Sequence, residues 1–153
     1  MHFFSHTGTS TAIVGFAFLL SAASVFAQTT GTGQTLDTIQ WRDSPVPGVQ
    51  NSVHIGNPAA TGLYVVLGKM SLGSRFPAHK HPDARVTTVL KGTMYYASGS
   101  DLSDAAMVAY PTGAIVQTPA GVAHVMWARD GDVVMQETGI GPSGLVAVDT
   151  AHK

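Results

Sequence analysis

Residues 73–92 read GSRFPAHKHPDARVTTVLKG and residues 113–128 read GAIVQTPAGVAHVMWA. In the first stretch His79 and His81 are separated by one residue of an extended segment. Alternate residues of a strand share a face, so both imidazoles leave the chain on the same side. In the second stretch Pro119 and Gly121 mark a tight turn, and His124 follows on the strand that leaves it. Three neutral imidazoles from two strands make a facial ligand set that leaves coordination positions open to water, O₂ or substrate. The expected cofactor is one divalent transition-metal ion (Fe, Mn, Ni, Cu or Zn) on His79, His81 and His124.

Outward from these stretches, short apolar or alternating segments recur between turn signals: Leu63–Met70, Val86–Leu90, Met94–Ala97, Met107–Ala109, Ile115–Thr118, Ala123–Trp127, Val133–Thr138 and Leu145–Val148. No stretch after residue 28 has helical periodicity, so the pattern predicts an all-β sandwich or barrel over residues 50–150. Lys91-Gly92 and Asp130-Gly131 are expected to close tight hairpins. Residues 28–49, rich in Thr, Gly, Gln and Pro, read as an arm before the barrel that either wraps it, loosely attached, or is disordered. The 153 residues suit one domain. The 8 Lys and Arg stand against 9 Asp and Glu with no basic block, which argues against a nucleic-acid partner. With no Cys, disulfides and thiolate chemistry are excluded.

Together the two quoted stretches resemble the two sequence motifs of the cupin superfamily. Gly73, His79, His81 and Gly92 fall at the spacings of the first motif, and Gly113, Pro119, Gly121 and His124 at those of the second. The resemblance implies a double-stranded β-helix, or jelly-roll barrel, with a small-molecule ligand or substrate, and a homodimer. Two positions depart from it. Arg85 stands where the family usually has a Glu ligand, and Ala128 where it has Asn. A three-His centre is therefore implied in place of the commoner set of three His and one Glu.

By alternation from His79 and His81, Arg85 should point into the same cavity. A cation beside a divalent metal calls for an anion between them. Asp83 or Glu137 can supply it, or a small organic acid anchored by Arg85 as substrate. Asp83 itself follows Pro82 and reads most simply as a turn residue. Glu137 is the only Glu of the chain. If Asp130-Gly131 forms a two-residue hairpin, residues 124 and 137 are opposite and Glu137 faces the metal. A loop one residue different puts Gln136 there instead. Either is a candidate fourth ligand or general base. Met94, Tyr96, Met126 and Trp127 read as core and pocket wall. Tyr96 joins Glu137 as a catalytic candidate, and Met126 joins Arg85 and Gln136 as a substrate contact.

Three functions fit these residues: a metal-dependent enzyme of dioxygenase, lyase or isomerase type acting on a small organic molecule, a non-catalytic periplasmic ligand-binding or sensor protein, and a barrel whose metal only fixes its strands. Fold alone does not choose among them.

The first 27 residues carry no Lys, Arg, Asp or Glu, and Ala12–Leu20 is an unbroken apolar run too short to span a bilayer. Small residues at Val25 and Ala27 then precede a polar stretch, as at a signal-peptidase site. Residues 1–27 are expected to be a signal peptide, which makes the mature protein periplasmic or secreted and free of the membrane. Protein recovered from the periplasm should begin at or near Gln28 on N-terminal sequencing, and soluble protein that retains Met1 would exclude export by this route.

Overall fold

The computed structural model describes residue 31 and residues 33–149. The expected signal peptide, residues 1–27, lies outside them. Eleven strands succeed one another among the described residues. The first six are β1 (Arg42–Asp43), β2 (Val49–Ile55), β3 (Gly62–Met70), β4 (Arg75–Lys80), β5 (Arg85–Lys91) and β6 (Thr93–Ser98). The remaining five are β7 (Val108–Pro111), β8 (Ile115–Thr118), β9 (His124–Trp127), β10 (Val133–Gly141) and β11 (Val146–Ala147). One 3₁₀ turn, Asp104–Ala106, interrupts them. No helix of the described residues is long and apolar enough to cross a membrane.

All pairings are antiparallel. One sheet runs β1-β2-β3-β10-β5-β8 and the other β11-β4-β9-β6-β7. Two antiparallel sheets closing over one interior are the jelly-roll arrangement that the resemblance implies. The alternation seen in the sequence places the side chains. On β10 residues 133, 135, 137 and 139 face inward, opposite Met70, Gly68, Val66 and Tyr64 of β3 and near Val89, Thr87 and Arg85 of β5. The interior is therefore graded along the strands. At one end Met70, Val89, Met94, Met126, Ala128, Val133 and Met135 form an apolar cluster. Burying each such Met or Val contributes roughly 1.5–3 kcal/mol. Toward the other end the same strands carry Glu137, Thr87, Arg85 and Tyr64.

One open sequence expectation is decided here and two others change. Part of the stretch read as a loose arm is built in: Arg42 and Asp43 pair with Asn51 and Gln50, Ile39 is buried, and Val49 lies in the apolar cluster. Lys91-Gly92 closes no hairpin, because β5 and β6 belong to different sheets. The same holds for Asp130-Gly131 between β9 and β10. Both are corners where the chain crosses from one sheet to the other, and they meet. Gly92 has φ of +81°, and a Cβ there would collide with the Asp132 carbonyl.

Gly92→Ala combines left-handed strain with that backbone collision. It should destabilise the fold by about 2–3 kcal/mol, read as a lower urea midpoint with an unchanged slope. An unshifted midpoint would show that the corner relaxes freely.

Candidate metal centre

β4 and β9 are neighbours, and His79 is directly opposite His124 in their register. His81 lies one residue past the end of β4 on the same face. The three rings converge: centroids are 4.1 Å apart for His79 and His124, 4.9 Å for His79 and His81, and 5.3 Å for His81 and His124. One ring nitrogen from each lies within 4.8 Å of the others, and all three residues are buried.

Hydrogen bonding decides where their protons sit. Nδ1 of His79 faces the Pro77 carbonyl at 2.8 Å, Nδ1 of His81 the Gly144 carbonyl at 2.6 Å, and Nδ1 of His124 the Val122 carbonyl at 3.1 Å. A carbonyl only accepts, so each Nδ1 carries the proton and each neutral ring keeps its lone pair on Nε2. Nε2 of His81 is buried with no hydrogen-bond partner. Three lone pairs fixed by carbonyls behind them, one of them otherwise orphaned, fit a divalent metal ion bound through His79, His81 and His124.

Burial lowers the pKa of all three below the ordinary 6.5. For His79 it brings the value down to about 3, with the His124 ring adding to the effect. For His81 the Arg85 charge reinforces burial. For His124 burial leads, the bond to the Val122 carbonyl opposes it, and His81 adds to the lowering. All three rings are thus neutral at physiological pH, the state in which they can bind metal.

Arg85 is buried beside this cluster, and its charge is already matched. Nη1 donates to Oε2 of Glu137 at 3.0 Å, and Nη2 donates to Oδ1 of Asp83 at 3.1 Å and to Oγ of Ser143 at 2.7 Å. The guanidinium also lies 6.0 Å from the Tyr64 ring centre, and the Tyr64 hydroxyl donates to Asp83. Burial alone would raise the Asp83 pKa, but hydrogen bonds from Ser143, Tyr64 and Arg85 hold it below its ordinary value. Tyr64 is pushed up to about 12 by burial and by its bond to Asp83. Of the two readings the sequence left open for Arg85, the ion pair with the chain's own carboxylates is present, with both Asp83 and Glu137. Asp83 is a member of that network rather than a simple turn residue.

Glu137 reaches the site by a different route from the one expected. β9 and β10 do not pair, so residues 124 and 137 are not opposite partners. They stand on strands of different sheets, near enough for the Glu137 charge to act on the His124 ring. Glu137 lines a cavity of about 160 Å³ together with His79, His81, Phe76, Met126 and Leu145. Gln136 is on the opposite face of β10 by alternation, where its side chain donates to Oγ1 of Thr138, and it does not line that cavity. Met126 lines the cavity. Tyr96 lies in the apolar cluster, its ring stacked on His124 at 5.6 Å and its hydroxyl bonded to Thr118 at 2.6 Å.

Several residues escaped the sequence reading. Tyr64, Ser143, Gly144 and Leu145 carry no local signal, because their roles depend on contacts across tens of residues. Phe76, whose ring is 4.4 Å from that of His79, was visible only as an apolar residue three positions before it. One trace did exist: Gly139 in the middle of a long strand. A Cβ there would collide with the Tyr64 hydroxyl and lie 2.8 Å from Asp83 Oδ2, and an isolated strand glycine marks such close approaches.

The lowered pKa values set a pH dependence for the metal-free protein. Below pH 6.5 the unfolded chain takes up protons that the folded chain refuses, so stability falls as pH falls. The slope is about 1.4 kcal/mol per pH unit for each imidazole concerned. For His79 the loss continues down to about pH 3. Urea midpoints of metal-free protein should drop steadily from neutral pH to about pH 4.5, and a flat profile would mean that the rings are protonated in the fold.

Comparison with known proteins places this geometry in a family. The chain matches the family model described as the ChrR cupin-like domain over residues 29–140. No curated protein matches it. Among solved structures it is similar to KdgF from Halomonas sp., with 19% identity and a TM-score of 0.59 over 73% of this chain and 96% of that one. It is also similar to the DMSP lyase DddQ from Ruegeria pomeroyi DSS-3, with 18% identity and a TM-score of 0.62 over 76% of this chain and 64% of that one. The polyketide cyclase RemF from Streptomyces resistomycificus gives 15% identity and a TM-score of 0.65 over 80% of this chain and 89% of that one. At such identities these likenesses are of fold. The family match is broader: it runs from before β1 into β10 and takes in all three histidines, and the chain belongs to the ChrR cupin-like family.

Proposed function

We propose that the chain is a metal-dependent enzyme of lyase or isomerase type, with Glu137 as the base and a small organic molecule as substrate. One observation carries this reading. Glu137 is the only carboxylate among the residues lining the cavity that His79 and His81 also line. A proton acceptor beside a metal centre suits abstraction next to a polarised carbonyl or carboxylate. The ion on His79, His81 and His124 would supply Lewis-acid polarisation of that group. Arg85 holds Oε2 of Glu137, so the substrate proton would be taken on Oε1. Phe76, Met126, Met135 and Leu145 give the cavity an apolar wall, Gln50 and Asn51 add polar groups, and its volume of about 160 Å³ suits a small substrate. That a lyase and a cyclase share this fold fits the reading without deciding it. Glu137 favours proton transfer over the O₂ chemistry of a dioxygenase. The leader-like residues 1–27 support work in the periplasm or outside the cell.

Elemental analysis of protein purified without a metal-binding tag should find close to one divalent ion per chain, and His81→Ala should bring it near zero, since three ligands leave none to spare. Glu137→Gln should keep the ion and lower turnover by about 10²–10⁴-fold. Turnover is sought in a panel of small organic acids, esters and phenols, followed by absorbance and an oxygen electrode. Oxygen uptake in step with product would overturn the lyase or isomerase reading in favour of a dioxygenase. A ligand bound tightly with no turnover would make the protein a binding cupin.

A further inference from the structure

We propose that Arg85 withholds Glu137 from the metal, so that the ion is held by three imidazoles alone and the carboxylate stays available as a base. This rests on the reading that His79, His81 and His124 hold an ion. Glu137 is otherwise well placed to ligate. It lines the same cavity as His79 and His81, and its charge acts on both His81 and His124. A dication in that cavity attracts the nearest carboxylate.

The structure shows what competes for it. Arg85 Nη1 binds Oε2 of Glu137 at 3.0 Å, and the guanidinium cannot swing after a departing carboxylate, because Nη2 is tied to Asp83 and Ser143. Its face lies 6.0 Å from the Tyr64 ring centre. Asp83 is fixed in turn by the Tyr64 hydroxyl. A carboxylate whose oxygen and charge are shared with a rigid guanidinium is a poorer metal ligand than a free one. Arg85 thus does more than fail to ligate: it captures the one Glu of the chain from the adjacent strand. Asp83, Tyr64 and Ser143 act as positioning residues behind it.

Cobalt(II) is a suitable probe, because its visible absorption reports the ligand set and a chromophoric chelator reports its affinity by competition. Glu137→Gln alone should leave the cobalt spectrum of the wild type unchanged, and a changed spectrum would show that Glu137 is already a ligand and overturn the proposal. Arg85→Gln should free the carboxylate. The double variant Arg85→Gln with Asp83→Asn does the same while removing one positive and one negative charge together, so net charge does not confuse the result and no second buried carboxylate is left unpaired. Either variant, checked for folding by circular dichroism, should bind cobalt at least about tenfold more tightly with an altered spectrum. Adding Glu137→Gln should abolish both changes. Unaltered affinity and spectrum in the folded variants, or gains that survive Glu137→Gln, would overturn the proposal. Undiminished cobalt binding by His81→Ala would instead remove the metal site on which it stands.

Discussion

A guanidinium inside a barrel must be matched by negative charge, and much of the site is arranged around that requirement. The side chains of Arg85, Asp83 and Glu137 are only 5%, 6% and 17% exposed. Removing one partner from a buried ion pair costs about 3–5 kcal/mol, because the other charge stays in a medium that solvates it poorly. The pairing binds β5 to β10 and, through Tyr64, to β3. Through Ser143 it also fixes the loop after β10. That loop presents the Gly144 carbonyl to His81 and the Leu145 side chain to the cavity. The orientation of one imidazole in the three-His cluster is thus coupled to an ion pair on another sheet.

The same network sets the field at the histidines. Asp83, Glu137 and Arg85 sum to one negative charge, and the three rings are neutral. At an effective dielectric near 20, a dication and a unit charge ~6 Å apart interact by roughly 5 kcal/mol before screening. Arg85 alone would repel the ion by that order, and the two carboxylates reverse the sign. A cation where the family carries a carboxylate ligand is therefore compatible with a metal centre here, because the missing negative charge returns from Glu137 and Asp83.

The histidines and the barrel were legible because both depend on local spacing. His79 and His81 share a face by alternation alone, and the motif spacings bring in His124. Turn chemistry was legible but ambiguous. Lys91-Gly92 and Asp130-Gly131 show that a glycine turn between two apolar runs can close a hairpin or turn a corner between sheets, and only the sheet partners tell which. That ambiguity carried the wrong route to Glu137 and left Gln136 as its rival, although the alternation of β10 separates them once the facing strands are known. Arg85 was correctly pointed inward, but its partners could not be chosen. Tyr64 and Ser143 lie 21 residues before it in one case and 58 after it in the other, and no local pattern links residues at such separations.

The graded interior explains how a small barrel without disulfides can carry such a site. Three imidazoles whose charging is suppressed by burial, a buried Nε2 on His81 and a buried Nε on Arg85 without partners are each unfavourable to the fold. A buried polar atom left unsatisfied costs about 1–3 kcal/mol, against a typical net stability of about 5–15 kcal/mol. The apolar cluster at the other end of the same strands offsets this, with four methionines filling the space between the sheets. An ion on the three Nε2 atoms would remove the largest of these defects, and because it binds only the folded chain it would stabilise the fold by linkage. The feature that makes the metal-free site costly is the feature that suits it to an ion: lone pairs already aimed and protons already placed on the far nitrogens. Stability and metal-binding capacity draw on the same few atoms, and the apolar end of the barrel offsets what burial of the polar end costs.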